Sequence, residues 1–399
     1  MINTDFLVIG GGVIGLNIGR TLKKKYTDCH VLVIEKEQSL GLHASGRNSG
    51  VLHAGFYYTA DSLKAKFTRD GNRTLTNYCE QRKIPINKCG KLVVALNEKE
   101  DQLLDVLMQR GSSNGVELQE VTKEEVREIE PRANTWKRAI FSPTTSSADP
   151  ITVLQCMQED AKDEGIDLHY GAKYLKHQRD KVYTSNGVYN TGYVINAAGL
   201  YADKVARDFN FCSNYTILPF KGIYLKSSEP AGSYRTHIYP VPDLNNPFLG
   251  VHYTVQVNGQ AKIGPTAIPA FWREQYKYLD NFKLNEFLDI SARSTGLLLN
   301  SNFNFTSLAI NEMRKYSRRR LVELAKGLVP DVEEKFFKQW AKPGIRAQLV
   351  NLKSRKLEMD FVLECDAKSM HVLNAVSPGW TCSIPFSEYV VNEISKRLN

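Results

Sequence analysis

The chain opens on a continuous apolar run, Phe6, Leu7, Val8 and Ile9, and reaches a second one at Val31 to Ile34. Short apolar runs without polar alternation predict central parallel strands covered on both faces. Between them Gly10, Gly12 and Gly15 spell G-x-G-x-x-G. The first glycine permits a tight turn, the second lets the backbone approach a pyrophosphate, and the third lets the following helix pack on the strand. Glu35 ends the second strand, twenty positions after Gly15, where a carboxylate can accept hydrogen bonds from ribose hydroxyls. Gly10, Gly12, Val13, Ile14, Gly15, Glu35 and Lys36 thus form a candidate dinucleotide site, with phosphate at the helix N-terminus.

Further on, Lys91 to Leu96 alternate as a short strand, and charged helical stretches are predicted near Glu98–Gly115 and Lys123–Ile129, the latter stopped by Pro131. A helix is expected over Asp149–Glu164 and a second buried strand over Gly192–Gly199. Ile217 to Gly264 is rich in Tyr, Val, Ile and Phe and broken by Pro240, Pro242 and Pro247, which predicts an antiparallel sheet. Helical sequence dominates from Leu284 to Trp340, then a strand over His371–Ala375 precedes a terminal helix. The expected architecture is α/β (α+β overall), a Rossmann-like unit of residues 1–88, 149–214 and 341–399 with an inserted antiparallel-sheet and helix unit of residues 89–148 and 215–340.

The stretch GLHASGRNSGVLHAGFYYTA, residues 41–60, departs from an ordinary nicotinamide-binding domain, which would continue into another crossover helix. Its irregular Gly, Ser, Asn and His content suits a segment lying along a larger cofactor, flavin adenine dinucleotide (FAD). Ser45, Asn48, Ser49, Gly50 and Val51 are candidate contacts to its diphosphate and ribityl chain. Alternatively these residues cap their own backbone. Ala198 and Gly199, closing the strand GYVINAAG, and the backbone N–H groups of Gly379, Trp380 and Thr381 complete the cofactor set.

Composition narrows the picture little. The 399 residues with 42% apolar content suffice for two or three compact units. Seven dispersed cysteines without C-x-x-C pairing argue for reduced thiols and no metal site. The net charge of +9 could steer anionic substrates, lipid or nucleic acid. Basic residues lack the aromatic interleaving suited to nucleic acid, so no nucleic-acid partner is expected. The cluster Arg314, Lys315, Arg318, Arg319 and Arg320 is read as a solvated helix face, with a peripheral contact at the inner face of a membrane as the alternative. A first strand beginning at once, near Asp5, without a charged leader and apolar segment, predicts a soluble cytoplasmic chain.

In order, HASGRNSGVLHAGFYY, SLKAKF, CGKLVVA, NAAGLYAD, PFKGIY, YPVPDLNNPFLGVH, GIRAQL and HVLNAVSPG resemble the L-2-hydroxyglutarate oxidase/dehydrogenase family, within the D-amino-acid-oxidase-like FAD oxidoreductases. The resemblance spans nearly the whole chain. It departs at Lys221, where an arginine is usual, and at GPTAIPA and AVSPGWTC. It implies a D-amino-acid-oxidase/glutathione-reductase-like fold, FAD and a small dicarboxylate substrate; no local pattern singles out His43, His53 or Cys382 as a linkage site, so non-covalent FAD is expected, with oxygen, a quinone or a carrier protein as the electron acceptor.

For the chemistry, His53 is the candidate base, because oxidising a secondary alcohol releases a hydroxyl proton that an imidazole can take near neutrality. A histidine that merely hydrogen-bonds the flavin or its loop would look the same in sequence. The placement of a similar histidine in related glycerol-3-phosphate oxidising enzymes favours catalysis. Arg346, in GIRAQ, is the candidate clamp for the substrate carboxylate through its planar fork, in keeping with Gly-x-Arg arginines of the superfamily, or else a salt-bridge partner of Asp360. Lys221, Tyr224 and His252 are candidates for a distal carboxylate or ordinary sheet residues. Of Tyr57 and Tyr58, an extended segment would present only one to the pocket.

Overall fold

In the computed structural model, residues 1–243, 249–300 and 305–398 are described; Pro247, expected to break a strand, lies outside them. The apolar runs form the centre of a sheet whose parallel strands are Asp167–His169, Val31–Ile34, Ile2–Ile9, Gly187–Asn196 and Ser369–Asn374, side by side in that order. A hairpin, Tyr174–Gln178 and Lys181–Thr184, adds antiparallel to the first half of Gly187–Asn196, and Val362–Cys365 pairs antiparallel with Ser369–Asn374. The helices Val13–Lys25, Pro150–Asp163 and Ser383–Leu398 cover one face, burying Val8, Leu16, Val33, Leu154, Met157, Ile195, Phe386 and Val390 in a common core. Burial on both faces explains the unbroken apolar runs.

The helix Leu63–Gln81 was not foreseen. Gly71 and Asn72 in its middle dilute the helical signal, and its support is tertiary. A Cβ on Gly71 would stand 2.2 Å from the carbonyl oxygen of Thr381, so glycine there admits the last loop of the chain. Its N-terminus is held by Ser62, whose Oγ accepts from Ala65 N at 3.1 Å, and by Asp360, which accepts from Leu63 N at 2.8 Å and Lys64 N at 3.0 Å.

The second sheet has eight strands: Gln339–Trp340, Leu225–Lys226, Ala261–Gly264, His252–Val255, His237–Pro240, Lys91–Val94, Arg138–Ser142 and Gln119–Thr122. Its pairings are antiparallel except one. His237–Pro240 lies parallel to Lys91–Val94, a pairing that two segments far apart in sequence can adopt and the two arms of a hairpin cannot. Helical sequence near the C-terminal side resolves into Leu284–Asn300, Phe305–Arg314 and Arg318–Lys326, and the expected helical region ends early, with Gln339–Trp340 a strand. The basic cluster therefore spans two helices, and Arg318 and Arg320 pair with Glu334 and Glu323 at 3.2 and 2.9 Å.

A third sheet bridges the other two. Tyr215–Gly222 runs antiparallel to Gly344–Asn351 through eight residue pairs, Tyr215 opposite Asn351 to Gly222 opposite Gly344. It brings GIRAQ to the junction where residues of the two larger sheets face each other.

Candidate functional site

At this junction lies a cavity of about 1340 Å³, larger than the ~300–1,000 Å³ of typical small-ligand pockets. It runs from the G-x-G-x-x-G turn to the second sheet. Gly10, Gly12, Val13, Ile14, Glu35, Lys36, Ser45, Asn48, Ser49, Val51, Ala198, Gly199, Gly379, Trp380 and Thr381 all line it, as do His53, Tyr224, His252 and Arg346.

At the nucleotide end the helix Val13–Lys25 points its N-terminus at the cavity, with Gly12 as N-cap and no side-chain cap of its own. A Cβ on Gly12 would stand 3.0 Å from Ser45 Oγ, which itself accepts from Val13 N at 2.9 Å. Glu35 accepts from Gly11 N and Glu37 N, both at 3.0 Å, so its carboxylate is fixed at the strand end. Gly15 and Gly50 do not line the cavity. A Cβ on Gly15 would meet Gly10 O at 1.9 Å, and Gly50, at φ +77°, would bring one within 2.3 Å of Ala148 O; both glycines permit close packing instead of contacting a ligand. Lys36 is held between Glu37 and Glu274, the latter at 2.8 Å. Glu37, His43 and Glu274 converge, and Lys36 is the cation among them.

The loop 44–51 largely caps itself. Asn48 Nδ2 donates to Ser45 O at 2.8 Å and its Oδ1 accepts from Gly50 N at 2.8 Å, while Ser49 Oγ accepts from Val51 N at 3.4 Å. At the last loop, Gly379 N donates to Val376 O at 3.3 Å, which removes one of the three N–H groups expected to face the ligand. Thr381 works through its hydroxyl, accepting from His53 N and donating to Val51 O, both at 3.2 Å. Trp380 Nε1 is buried with no partner among the described residues. A helix N-terminus with no side-chain cap at its Gly12 N-cap, a glycine where a Cβ would crowd, and an orphan donor in a cavity wall together fit a dinucleotide with a planar polar ring system.

At the other end the walls are side chains. Arg346 donates from Nη1 to Thr266 O at 2.9 Å, and burial lowers its pKa. Asp360 does not engage it as the alternative supposed: its carboxylate caps the helix Leu63–Gln81. In the paired strands Arg346 stands opposite Phe220, and Gly222, on the same face, leaves the room the guanidinium needs, a Cβ there lying 3.2 Å from Nη1. Lys221 falls one position off. Alternation turns it to the opposite face, where its Nζ lies 5.9 Å from the Tyr316 ring centroid; it does not line the cavity. Tyr57 and Tyr58 both line it, because they sit in a turn rather than an extended strand.

The exposed part of His53 faces this cavity rather than bulk water, and its pKa is pushed well below the usual histidine value by desolvation and by Lys91, His252 and His237. His252 stacks on Tyr239 with centroids 3.8 Å apart, its Nδ1 2.8 Å from Gly250 O; burial takes its pKa to about 3. Tyr224 is pushed up to about 12 by burial. Two lysines escaped the sequence reading. Lys64, from SLKAKF, lines the cavity and is lowered to about 8 by burial. Lys91, from CGKLVVA, lies behind the wall with its Nζ 4.5 Å from the ring centroids of Phe56 and Tyr57. Their only sequence signal was position within those two motifs.

Residues 5–392 match the family model "FAD dependent oxidoreductase", and the chain belongs to that family, with the mixed α/β fold and the FAD cofactor that define it. Within it the chain belongs with the L-2-hydroxyglutarate dehydrogenases. It is 34% identical over 399 residues to L-2-hydroxyglutarate dehydrogenase of Indibacter alkaliphilus, covering 98% of this chain and 99% of that one. It is 32% identical over 402 residues to the enzyme of that name from Escherichia coli K12, covering 99% and 94%. Among solved structures it resembles dithionite-reduced L-alpha-glycerophosphate oxidase from Mycoplasma pneumoniae with FAD bound, at 22% identity and TM-score 0.78 over 99% of this chain and 95% of that one.

Proposed function

We propose that this protein oxidises L-2-hydroxyglutarate to 2-oxoglutarate, with residues 1–88, 149–214 and 341–399 holding FAD and residues 89–148 and 215–340 shaping the substrate end. FAD, when bound, supplies the two-electron acceptor for the hydride leaving the substrate's C2. Gly10, Gly12 and the N-terminus of Val13–Lys25 hold its diphosphate, and Glu35 its ribose. His53 takes the hydroxyl proton. Its depressed pKa keeps it neutral and able to accept at physiological pH. Arg346 orients the C1 carboxylate, and Tyr224 and His252 shape the rest of the pocket.

The observation that carries this reading is that His53 and the half-buried guanidinium of Arg346 line the same dinucleotide-sized cavity, with desolvation lowering the pKa of both. Full-length likeness to proteins named for this reaction supports the substrate. Anaerobic mixing of the yellow protein with chiral 2-hydroxy acids and amino acids tests it. Bleaching by L-2-hydroxyglutarate ahead of its D-isomer and of every amino acid is expected; preferential bleaching by an amino acid overturns it. Acid precipitation should leave the flavin in the supernatant, as non-covalent binding requires.

No helix among the described residues is long and apolar enough to cross a membrane. Exposed Leu284, Leu288, Ile310 and Met313 lie on the helices that also carry Arg314 and precede Arg319, a mixture that supports peripheral contact of a cytoplasmic enzyme with anionic lipid. Salt-sensitive flotation with anionic vesicles, and reoxidation by air against a soluble quinone, separate the membrane and acceptor readings.

A further inference from the structure

Lys91 is the first residue of the strand Lys91–Val94 and has no exposed surface. Its ammonium has no hydrogen-bond partner among the described residues. Three aromatic rings surround it, those of Phe56 and Tyr57 with centroids 4.5 Å from Nζ and that of Tyr239 at 5.1 Å. A cation over ring faces gains from their quadrupoles, most when desolvated, yet three rings do not replace water or a carboxylate. Leaving such a group unpaired is costly. A purely structural site would be served better by leucine or methionine.

What lies on the other side of the rings gives the cost a use. Tyr57 and Tyr239 line the cavity while Lys91 does not. His252, stacked on Tyr239, and His53 share that wall. We infer that Lys91 is a positioning residue for the oxidation: its caged ammonium provides the positive charge behind the reaction end, holding the two tyrosine rings in place and setting the proton affinity of the base His53.

Among the described residues, the groups facing Lys91 include no competing acid. From the parallel strand come His237, paired with Lys91 itself, and Tyr239; from the antiparallel strand, Ser142; from the turn, Phe56 and Tyr57; and from beyond the rings, His53 and His252. Each of the three histidines is pushed down in part by Lys91. Lys262 adds to this at His237 and Arg346 at His252. Burial lowers Lys91 itself to about 7, so below that pH, where His53 titrates, Lys91 is charged.

The inference rests on His53 being the base, and two variants separate its failure from failure of that reading. In the FAD-loaded protein the rate of anaerobic flavin reduction by L-2-hydroxyglutarate is followed against pH. Lys91→Met removes the charge and keeps the length; Lys91→Arg keeps both the charge and the ring contact. Losing the cation that helps to lower it raises the His53 pKa, so the rising limb of the profile should move to higher pH by on the order of one unit. Lys91→Arg should restore the original limb. If Lys91→Met does not retain FAD, Lys91→Gln is measured against Lys91→Arg in the same way. A rising limb that stays where it was in the neutral variants, or that moves equally in Lys91→Arg, overturns the inference, provided that His53→Ala slows reduction. If His53→Ala leaves reduction unchanged, the base assignment itself has failed.

Discussion

The two ends of the cavity are built from different materials. The glycine-rich end is made largely of backbone: a helix N-terminus with no side-chain cap at Gly12, glycines where a Cβ would crowd, and Glu35 gripped by the N–H groups of Gly11 and Glu37. The reaction end is made of side chains from distant segments, His53, Tyr57, Arg346, His252 and, behind them, Lys91. Main-chain dipoles bind charge without being desolvated themselves, whereas buried titratable groups take on shifted pKa values as soon as water is excluded. Holding a cofactor asks for the first; moving a proton asks for the second.

If that division is right, changes at the reaction end alter rate and changes at the nucleotide end alter retention. The largest effect is expected for His53→Ala, which should slow anaerobic flavin reduction by roughly 10² to 10⁴-fold while the flavin spectrum stays native-like. Reduction at the native rate would make His53 a loop ligand. Arg346→Lys keeps a charge but loses the bidentate fork, so reduction should fall by about 10²-fold through misalignment. Stopped-flow traces that saturate at the native rate with only a raised substrate requirement would confine Arg346 to binding.

Acid should disturb the reaction end. His237 and His252 are held at about 3 in the fold by burial, against ~6.5 when unfolded. Between these values the unfolded chain binds more protons, so stability is present above pH 6.5 and is lost as pH falls toward 3. The loss is on the order of 2 kcal/mol per histidine by pH 5, read as a falling thermal midpoint. His252→Gln should flatten that slope, and an unchanged slope would relocate the acid sensitivity elsewhere.

At the nucleotide end, Glu35→Ala should weaken FAD retention by about tenfold, the worth of one charged hydrogen-bonding group, with turnover per bound flavin unchanged. Full occupancy after long dialysis would count against the ribose role. The smallest effect belongs to Lys221→Met. Because Lys221 faces Tyr316 and not the cavity, L-2-hydroxyglutarate and its one-carboxylate analogue L-2-hydroxybutyrate should both change by less than about twofold. A selective loss of the dicarboxylate would restore Lys221 to the site.

Much of the glycine-rich end of the cavity was legible in the sequence because its determinants are local. Apolar runs, glycine spacing and an acid at a strand end occupy residues 6–35, and backbone geometry follows from near neighbours. Sequence order also carried the motifs around His53 and Arg346 to one pocket by resemblance. Tertiary structure decided the rest. It turned Lys221 away through a one-residue register difference from Gly222, admitted both Tyr57 and Tyr58 by placing them in a turn, and formed the helix Leu63–Gln81 around Gly71 against the last loop. It also closed three rings around Lys91, that of Tyr239 from the strand across the parallel seam and those of Phe56 and Tyr57 from the turn. Facing, register and desolvation depend on which distant strand lies alongside, and a lysine in CGKLVVA looks like any other until the rings that bury it are in place.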